Sequence, residues 1–484
     1  MDPTGIRAVV PSLLQKGEEC ELRLKVLGPV IEIPSLGGWS NRKPALRGQF
    51  NLNASRNIQY RDNCLPEWTG ELELDGGEGY EGPSRILFDG REQGVFPGDT
   101  RPIKSEQGLR WTIPGFHFVR LTDHASGVTA LSNPVYVSAE RPAHRIYWGD
   151  PHWQTFFSDG IRCPEELYAF ARDEAFLDFG ALTDHVEALT DRQWDYFVTV
   201  TNDYDQPGRF ATLVGLEWTR HPEFGHRNVY YRGNNGPCLR ATDPRYDTLE
   251  KLWAALEGIE AVAIPHHTSN KVMGVDWEAG WNPRYEKSVE IHSVWGSSEC
   301  SEADGNIRPI RVMQGEVTGH HVVDALRRGY RLGFVGGGDI HDGRPGDDMH
   351  TAQNTDGGGH KHLLHPQGFT AAMAASLSRE NIYDAIKSRH TYATTRSRIY
   401  LKADVRLDSG EYVLDVQAAS EDGIREAVLI HNGDRALVIE PEGDPEVLET
   451  SRRIGRMERG DFCYLRIVTR ADNLAWSSPV WIEE

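Results

Sequence analysis

The sequence predicts an α/β fold flanked by two β modules: a β-sandwich-like domain over residues 1–140, an α/β barrel or open parallel sheet over 141–396, and a smaller β module over 397–484. Three observations carry this. Both ends of the chain read as short, partly alternating strands between Gly, Pro and Asn clusters. The middle alternates apolar strands with helical periods. And 16 of the 19 histidines lie between His144 and His390, which sets that region apart chemically. At 484 residues the chain is also longer than one ordinary core accommodates.

The N-terminal strands are CELRLKVL (20–27), GELELDG (70–76), GLRWTIP (108–114), FHFVRLTD (116–123) and NPVYVSAE (133–140). Their alternation puts apolar side chains on one face, as a sandwich requires. From RPAHRIYWGD (141–150) onward the period changes. PEELYAFARDEAF (164–176) has helical spacing with Pro164 at its start, and LDFGALTDH (177–185) reads as a buried strand. FATLVGLEWT (210–219), EAVAIPHHTS (260–269), SVEIHSVW (288–295) and RLGFVGGGDIH (331–341) are further strand ends. LEKLWAALEGI (249–259), HHVVDALRRGY (320–330) and RENIYDAIKSR (379–389) are helices between them. The irregular stretch 341–368 is too long for a plain connection and reads as a lid or insertion. After residue 396, RIYLKADVRL, EYVLDVQAA, EAVLIHNG and FCYLRIVTR restore strand character.

Composition excludes several classes. A net charge of −20 argues against nucleic acid, whose phosphates call for clustered Lys and Arg. The six cysteines are scattered without a CxxC pair, which suits a reducing compartment and gives no thiolate zinc cluster. No apolar run approaches the roughly 18 residues of a membrane span, and MDPTGIRAVV lacks a signal-peptide pattern. A cytoplasmic protein acting on a small molecule follows, compatible with oligomerisation. No GxSxG elbow, P-loop or GxGxxG after a strand is present.

Chemistry concentrates at the strand ends. GDPHWQ presents Asp150, His152 and Gln154; TDH presents Asp184 and His185; GLEWT presents Glu217; IPHH presents His266 and His267; VEIH presents Glu290 and His292; GGGDIH presents Asp339 and His341. In a barrel of parallel strands, carboxyl ends share one mouth. Imidazole nitrogen with carboxylate oxygen suits Zn²⁺, Mn²⁺ or Fe²⁺, and a carboxylate can bridge two such ions. Glu217, alone after an apolar strand, is the candidate bridge. One such residue is ordinarily a hydrogen-bonded turn residue, but six strand ends in sequence order make a metal site.

The ordered set GDPHWQT…SDG, ALTDH, GLEW, IPHHTS and GFVGGGDIHDGRPG resembles the PHP (polymerase and histidinol phosphatase) superfamily, and within it the branch called domain of unknown function 3604. The resemblance covers 141–398, and AWSSPVWIEE is similar to that branch's carboxyl end. It implies a distorted (β/α)₇ barrel that binds two or three divalent cations and hydrolyses phosphate mono- or diesters. Carried over by motif, the metal ligands are His152, Gln154, Asp159, Asp184, His185, Glu217, His266, His292 (or Glu290 beside it), Asp339 and His341. Gln154 stands where the superfamily has a second histidine, so two cations are the expectation.

Around this set, His226, Asp339 and Arg344 are candidate catalytic residues, and Arg227, His267 and Lys271 candidate substrate contacts. A structural role for His226 and a salt-bridging role for either arginine are the competing readings. Trp153, Trp218, Trp277 and Trp295 adjoin ligands and serve either packing or an aromatic-walled pocket. The expected function is a metal-dependent hydrolase, with a metal-activated hydroxide attacking an anionic phosphoester. Amide or ester hydrolysis on the same site, and a non-catalytic binding protein with a degenerate barrel, are the alternatives.

Overall fold

The computed structural model describes residues 2–28, 31–32, 61–62, 65, 68–91, 102–160, 162–341, 343–346 and 364–483. Most of the expected lid, 342 and 347–363 with His350, His360 and His362, lies outside the described residues.

The N-terminal strands pack as their alternation predicts. Gly5–Val9, Cys20–Leu27, Ile103–Trp111 and Tyr80–Glu81 form one sheet, and Val128–Leu131, Arg120–Asp123, Thr69–Asp75 and Arg85–Asp89 a second. Leu22, Leu24, Leu72, Leu74, Phe88, Leu109, Trp111 and Leu121 meet in one core. Each fully buried aliphatic side chain there contributes about 1.5–3 kcal/mol.

Arg145–Trp153 is the axis of the middle segment. It runs parallel to Phe179–Leu182, which runs parallel to Ala211–Thr212, and helices Pro164–Asp173 and Asp191–Asp203 make the two crossovers. The second helix starts on a reciprocal cap between Thr190 and Gln193. Ser288–Ser293 likewise pairs in parallel with Gly333–Gly336 across the helix Val322–Arg327.

A (β/α)₇ barrel is not what these strands form. Val214–Arg220, Gly225–Tyr231 and Ala261–Pro265 make an antiparallel ladder, and the His221–Phe224 turn joins the first two with no helix between them. The fold is mixed α/β and dominated by sheet. The strand ends still meet. Gln154 N donates to Ile340 O at 2.9 Å, Thr183 N to Trp153 O at 2.9 Å, and Glu217 N to Asp184 O at 3.1 Å. These bonds place the ends near 152, 184, 217 and 340 side by side.

Sheet hydrogen bonding continues past residue 396. Thr391–Thr395 pairs with Gly368–Ala374 on one edge and Leu474–Ser477 on the other, and the sheet extends through Phe462–Thr469, Ile424–His431 and Asp434–Ile439. Trp148, Tyr392, Leu429 and Leu465 share one hydrophobic core across that position. The remaining strands, Tyr400–Asp408, Glu411–Ala419 and Val447–Gly455, form a separate antiparallel sheet. No helix among the described residues is long and apolar enough to cross a membrane.

Candidate metal centre

Glu217 sits at the middle of a buried cluster. Its Oε1 lies 2.6 Å from His226 Nδ1, 3.2 Å from His266 Nε2 and 3.4 Å from His185 Nδ1. Its Oε2 lies 3.5 Å from His152 Nε2 and accepts from Gln154 Nε2 at 2.6 Å. The ring pairs His152–His266 and His266–His267 are both 4.4 Å apart, centroid to centroid.

The strand ends deliver these groups by local necessity. The glycine run before Asp339 is required by close approach: a Cβ on Gly337 would come within 2.1 Å of Glu290 Oε2, and one on Gly338 within 2.3 Å of Asp150 Oδ2. Asp339 and His267 both hold left-handed backbone, with φ of 49° and 34°. Such strain, about 1–3 kcal/mol per residue, concentrates at functional sites. His226 arrives differently, from the start of an antiparallel strand where it pairs with Thr219.

The electrostatics suit a cation. Burial pushes the Glu217 carboxyl up, but the His185, His266 and His226 imidazoles outweigh it and hold it well below the usual range. Burial pushes His226 down to about 3 and His267 well below its usual value, so both rings are neutral. Burial also works against charge on His152, yet Asp339 and Glu290 raise it well above the ordinary imidazole range. An ionised carboxylate beside the neutral rings of His226 and His267 is a donor set for a divalent cation. Orphaned buried atoms agree: His152 Nε2, His266 Nδ1 and His267 Nδ1 have no hydrogen-bond partner among the described residues. Among the described residues, two groups of donors come within coordinating reach of one another, namely Glu217 with His226, His266 and His267, and His152 with His266 and Asp339.

Other sequence candidates fall around this centre. Asp159 spans His185 Nε2 at 3.7 Å and His341 Nε2 at 3.4 Å, a looser group on the outer side. Asp184 turns its Oδ1 to Thr155 N at 3.0 Å, Thr155 Oγ1 at 2.8 Å and Ser158 Oγ at 2.6 Å, and burial pushes its carboxyl up to about 7. Through Oδ1 it braces the first strand end. Trp153, Trp218 and Trp277 are core, while Trp295 packs edge-on against His341 at 5.9 Å.

His292 does not join the cluster: its Nε2 lies 2.9 Å from Pro366 O and its ring stacks 5.7 Å from Trp476. The strand register shifts between Glu290 and His292, so residues two apart no longer share a face. Glu290 faces inward instead, on His152 Nδ1 at 2.9 Å. Arg227 is committed to Glu286 at 2.5 Å, both fully buried, and to Phe224 O at 2.6 Å. Lys271 is exposed in the loop after His267. Arg344 is buried, its guanidinium 5.6 Å over the Phe170 ring. Sequence reading passed over His221, whose Nδ1 lies 2.8 Å from His226 Nε2; only its place across a tight turn from His226 signals it.

The family described as Protein of unknown function (DUF3604) matches residues 101–303 and 327–430. Uncharacterized proteins from Chlamydia pneumoniae and Chlamydia trachomatis are each 26% identical over 405 residues, covering 78% of this chain and 63% of the relative. The chain thus matches less than two thirds of the length of these curated relatives. A solved two-domain protein from Bacteroides vulgatus, containing a predicted PHP-like metal-dependent phosphoesterase, is 14% identical and covers 68% of this chain and 93% of its own, at a TM-score of 0.36. That likeness is too slight to bear on fold or activity. With the family match spanning both halves of the metal-centre region and reaching into the continuing sheet, this chain belongs to the DUF3604 family.

Proposed function

We propose that this protein is a divalent-metal-dependent hydrolase and that its substrates are phosphate mono- or diesters. The observation that carries the reading is Glu217, one buried carboxylate kept ionised between His185, His226 and His266. The ordered strand-end motifs, similar to those of PHP phosphoesterases, support the substrate class.

Glu217, His266 and His267 would hold the cation, with His152 and Asp339 beside them. A bound divalent ion supplies Lewis acidity and lowers the pKa of water to roughly 7. The chain's own groups do the rest. Glu290 fixes the His152 ring so that Nε2 faces Asp339 Oδ1 at 3.3 Å. Asp339 Oδ2 takes the proton of the attacking water and returns it to the leaving oxygen. His226, engaged by Glu217 on one nitrogen and His221 on the other, orients Glu217 instead of donating to substrate. Arg344 is assigned to the anionic oxygens of the substrate.

One observation favours a second reading, hydrolysis of an amide or ester. Arg227 is locked on Glu286 and offers no grip for a phosphate. The test is a screen of Mn²⁺- and Zn²⁺-loaded protein against p-nitrophenyl phosphate, a bis-aryl phosphate diester, aryl esters and anilides. Turnover of the phosphate esters, abolished by chelation, supports the first reading. Turnover of esters or anilides alone replaces it with the second.

A further inference from the structure

Gln154 commits both amide hydrogens to buried oxygens. Its Nε2 donates to Thr183 O at 3.0 Å and to Glu217 Oε2 at 2.6 Å, while its Oε1 lies 2.8 Å from Ser158 Oγ. The amide cannot be turned over, because its oxygen would then press on a carbonyl and a carboxylate at those distances. Gln154 therefore offers no oxygen to a cation on the Glu217 side. Its N–H also sets the positive end of a dipole against Oε2, where a bridging carboxylate would need its second cation.

A separate observation limits the count further. Both donor groups among the described residues include His266. Its Nε2 faces Glu217 Oε1 at 3.2 Å. An imidazole coordinates through one lone-pair nitrogen, so it serves one cation, and filling one group takes His266 from the other.

We propose that Glu217 carries one cation through Oε1 and does not bridge two, and that Gln154 is the neutral donor taking the place of the second. This rests on the metal-hydrolase reading above and sets its cation count at a single tightly held ion, where the sequence resemblance implies two or three. Glu217 is then a terminal ligand pinned from behind. The outer group of Asp159, His185 and His341 contributes only a weak site that dialysis empties.

The test uses the full-length chain, stripped of metal, loaded with Mn²⁺, dialysed, and read by elemental analysis and electron paramagnetic resonance. Wild type is expected to retain one equivalent with the spectrum of an isolated Mn²⁺ ion. Gln154→His, which exchanges the amide for a nitrogen ligand, is expected to retain two, with a spin-coupled spectrum. Gln154→Glu provides a second variant should the first fail to fold, and it too is expected to gain an equivalent. Two retained, spin-coupled equivalents in wild type overturn the inference while leaving the metal reading intact. So does a folded variant that gains none. Wild type that retains no metal sinks the metal reading and this inference with it.

Discussion

Glu290 Oε2 lies 2.9 Å from His152 Nδ1 in a fully buried pocket, so a carboxylate on one strand fixes the ring of a candidate ligand on another. Such partners set the tautomer and raise the basicity of the coordinating nitrogen. Glu290→Gln is therefore expected to weaken divalent-metal affinity by about 10–100-fold. Competition against a fluorescent chelator reads this directly. An unchanged affinity would mean that His152 does not hold the ion.

Arg227 and Glu286 form a fully buried ion pair 2.5 Å apart. Removing one partner leaves the other charge uncompensated, which costs roughly 3–5 kcal/mol. Arg227→Met is expected to lower stability by that order in urea unfolding, and Arg227→Met with Glu286→Met to recover most of it. If Arg227 were a substrate contact, Arg227→Met would leave stability untouched.

His365 gives a pH signature. Burial pushes its imidazole down to about 4 from the ordinary 6.5, and its Nε2 lies 3.0 Å from Pro309 O. A depressed folded value means the unfolded chain takes the proton first. The stability from His365 is full above pH 6.5 and is lost as pH falls through 4. The loss is roughly 3 kcal/mol at about 1.4 kcal/mol per pH unit. His365→Gln is expected to flatten the melting temperature across this window; an unaltered slope refutes the assignment.

Burial pushes the thiols of Cys20 and Cys463 up to about 12 each. Both stay protonated at pH 8, and the thiol form does not react. Peptide-resolved alkylation at pH 8 is expected to label these two at least roughly a hundredfold more slowly in native protein than in urea. Equal rates would show that these strands are not packed as described.

The residue types at the strand ends were legible because chemistry and position coincide there: His152, Glu217, His266 and Asp339 each close an apolar run, and the fold brings them together. What escaped was whatever depends on backbone detail. The register shift that turns Glu290 inward and His292 onto Trp476 leaves no mark on the VEIH string. Arg227 and Glu286 are 59 residues apart, so no local pattern announces their pairing. Alternation marked the strands after residue 396 but not that several of them extend the sheet containing Arg145–Trp153. The antiparallel placement of GHRNVYY was likewise invisible, since an apolar strand carries no direction.

Glu217 is proposed to hold a divalent cation with His266 and its neighbours. Elemental analysis of dialysed wild type beside Glu217→Gln tests it most directly, with circular dichroism confirming that both are folded. Wild type is expected to retain about one equivalent, by the cluster's donor count, and the variant less than about a tenth of that. Equal metal in the two folded proteins would contradict it.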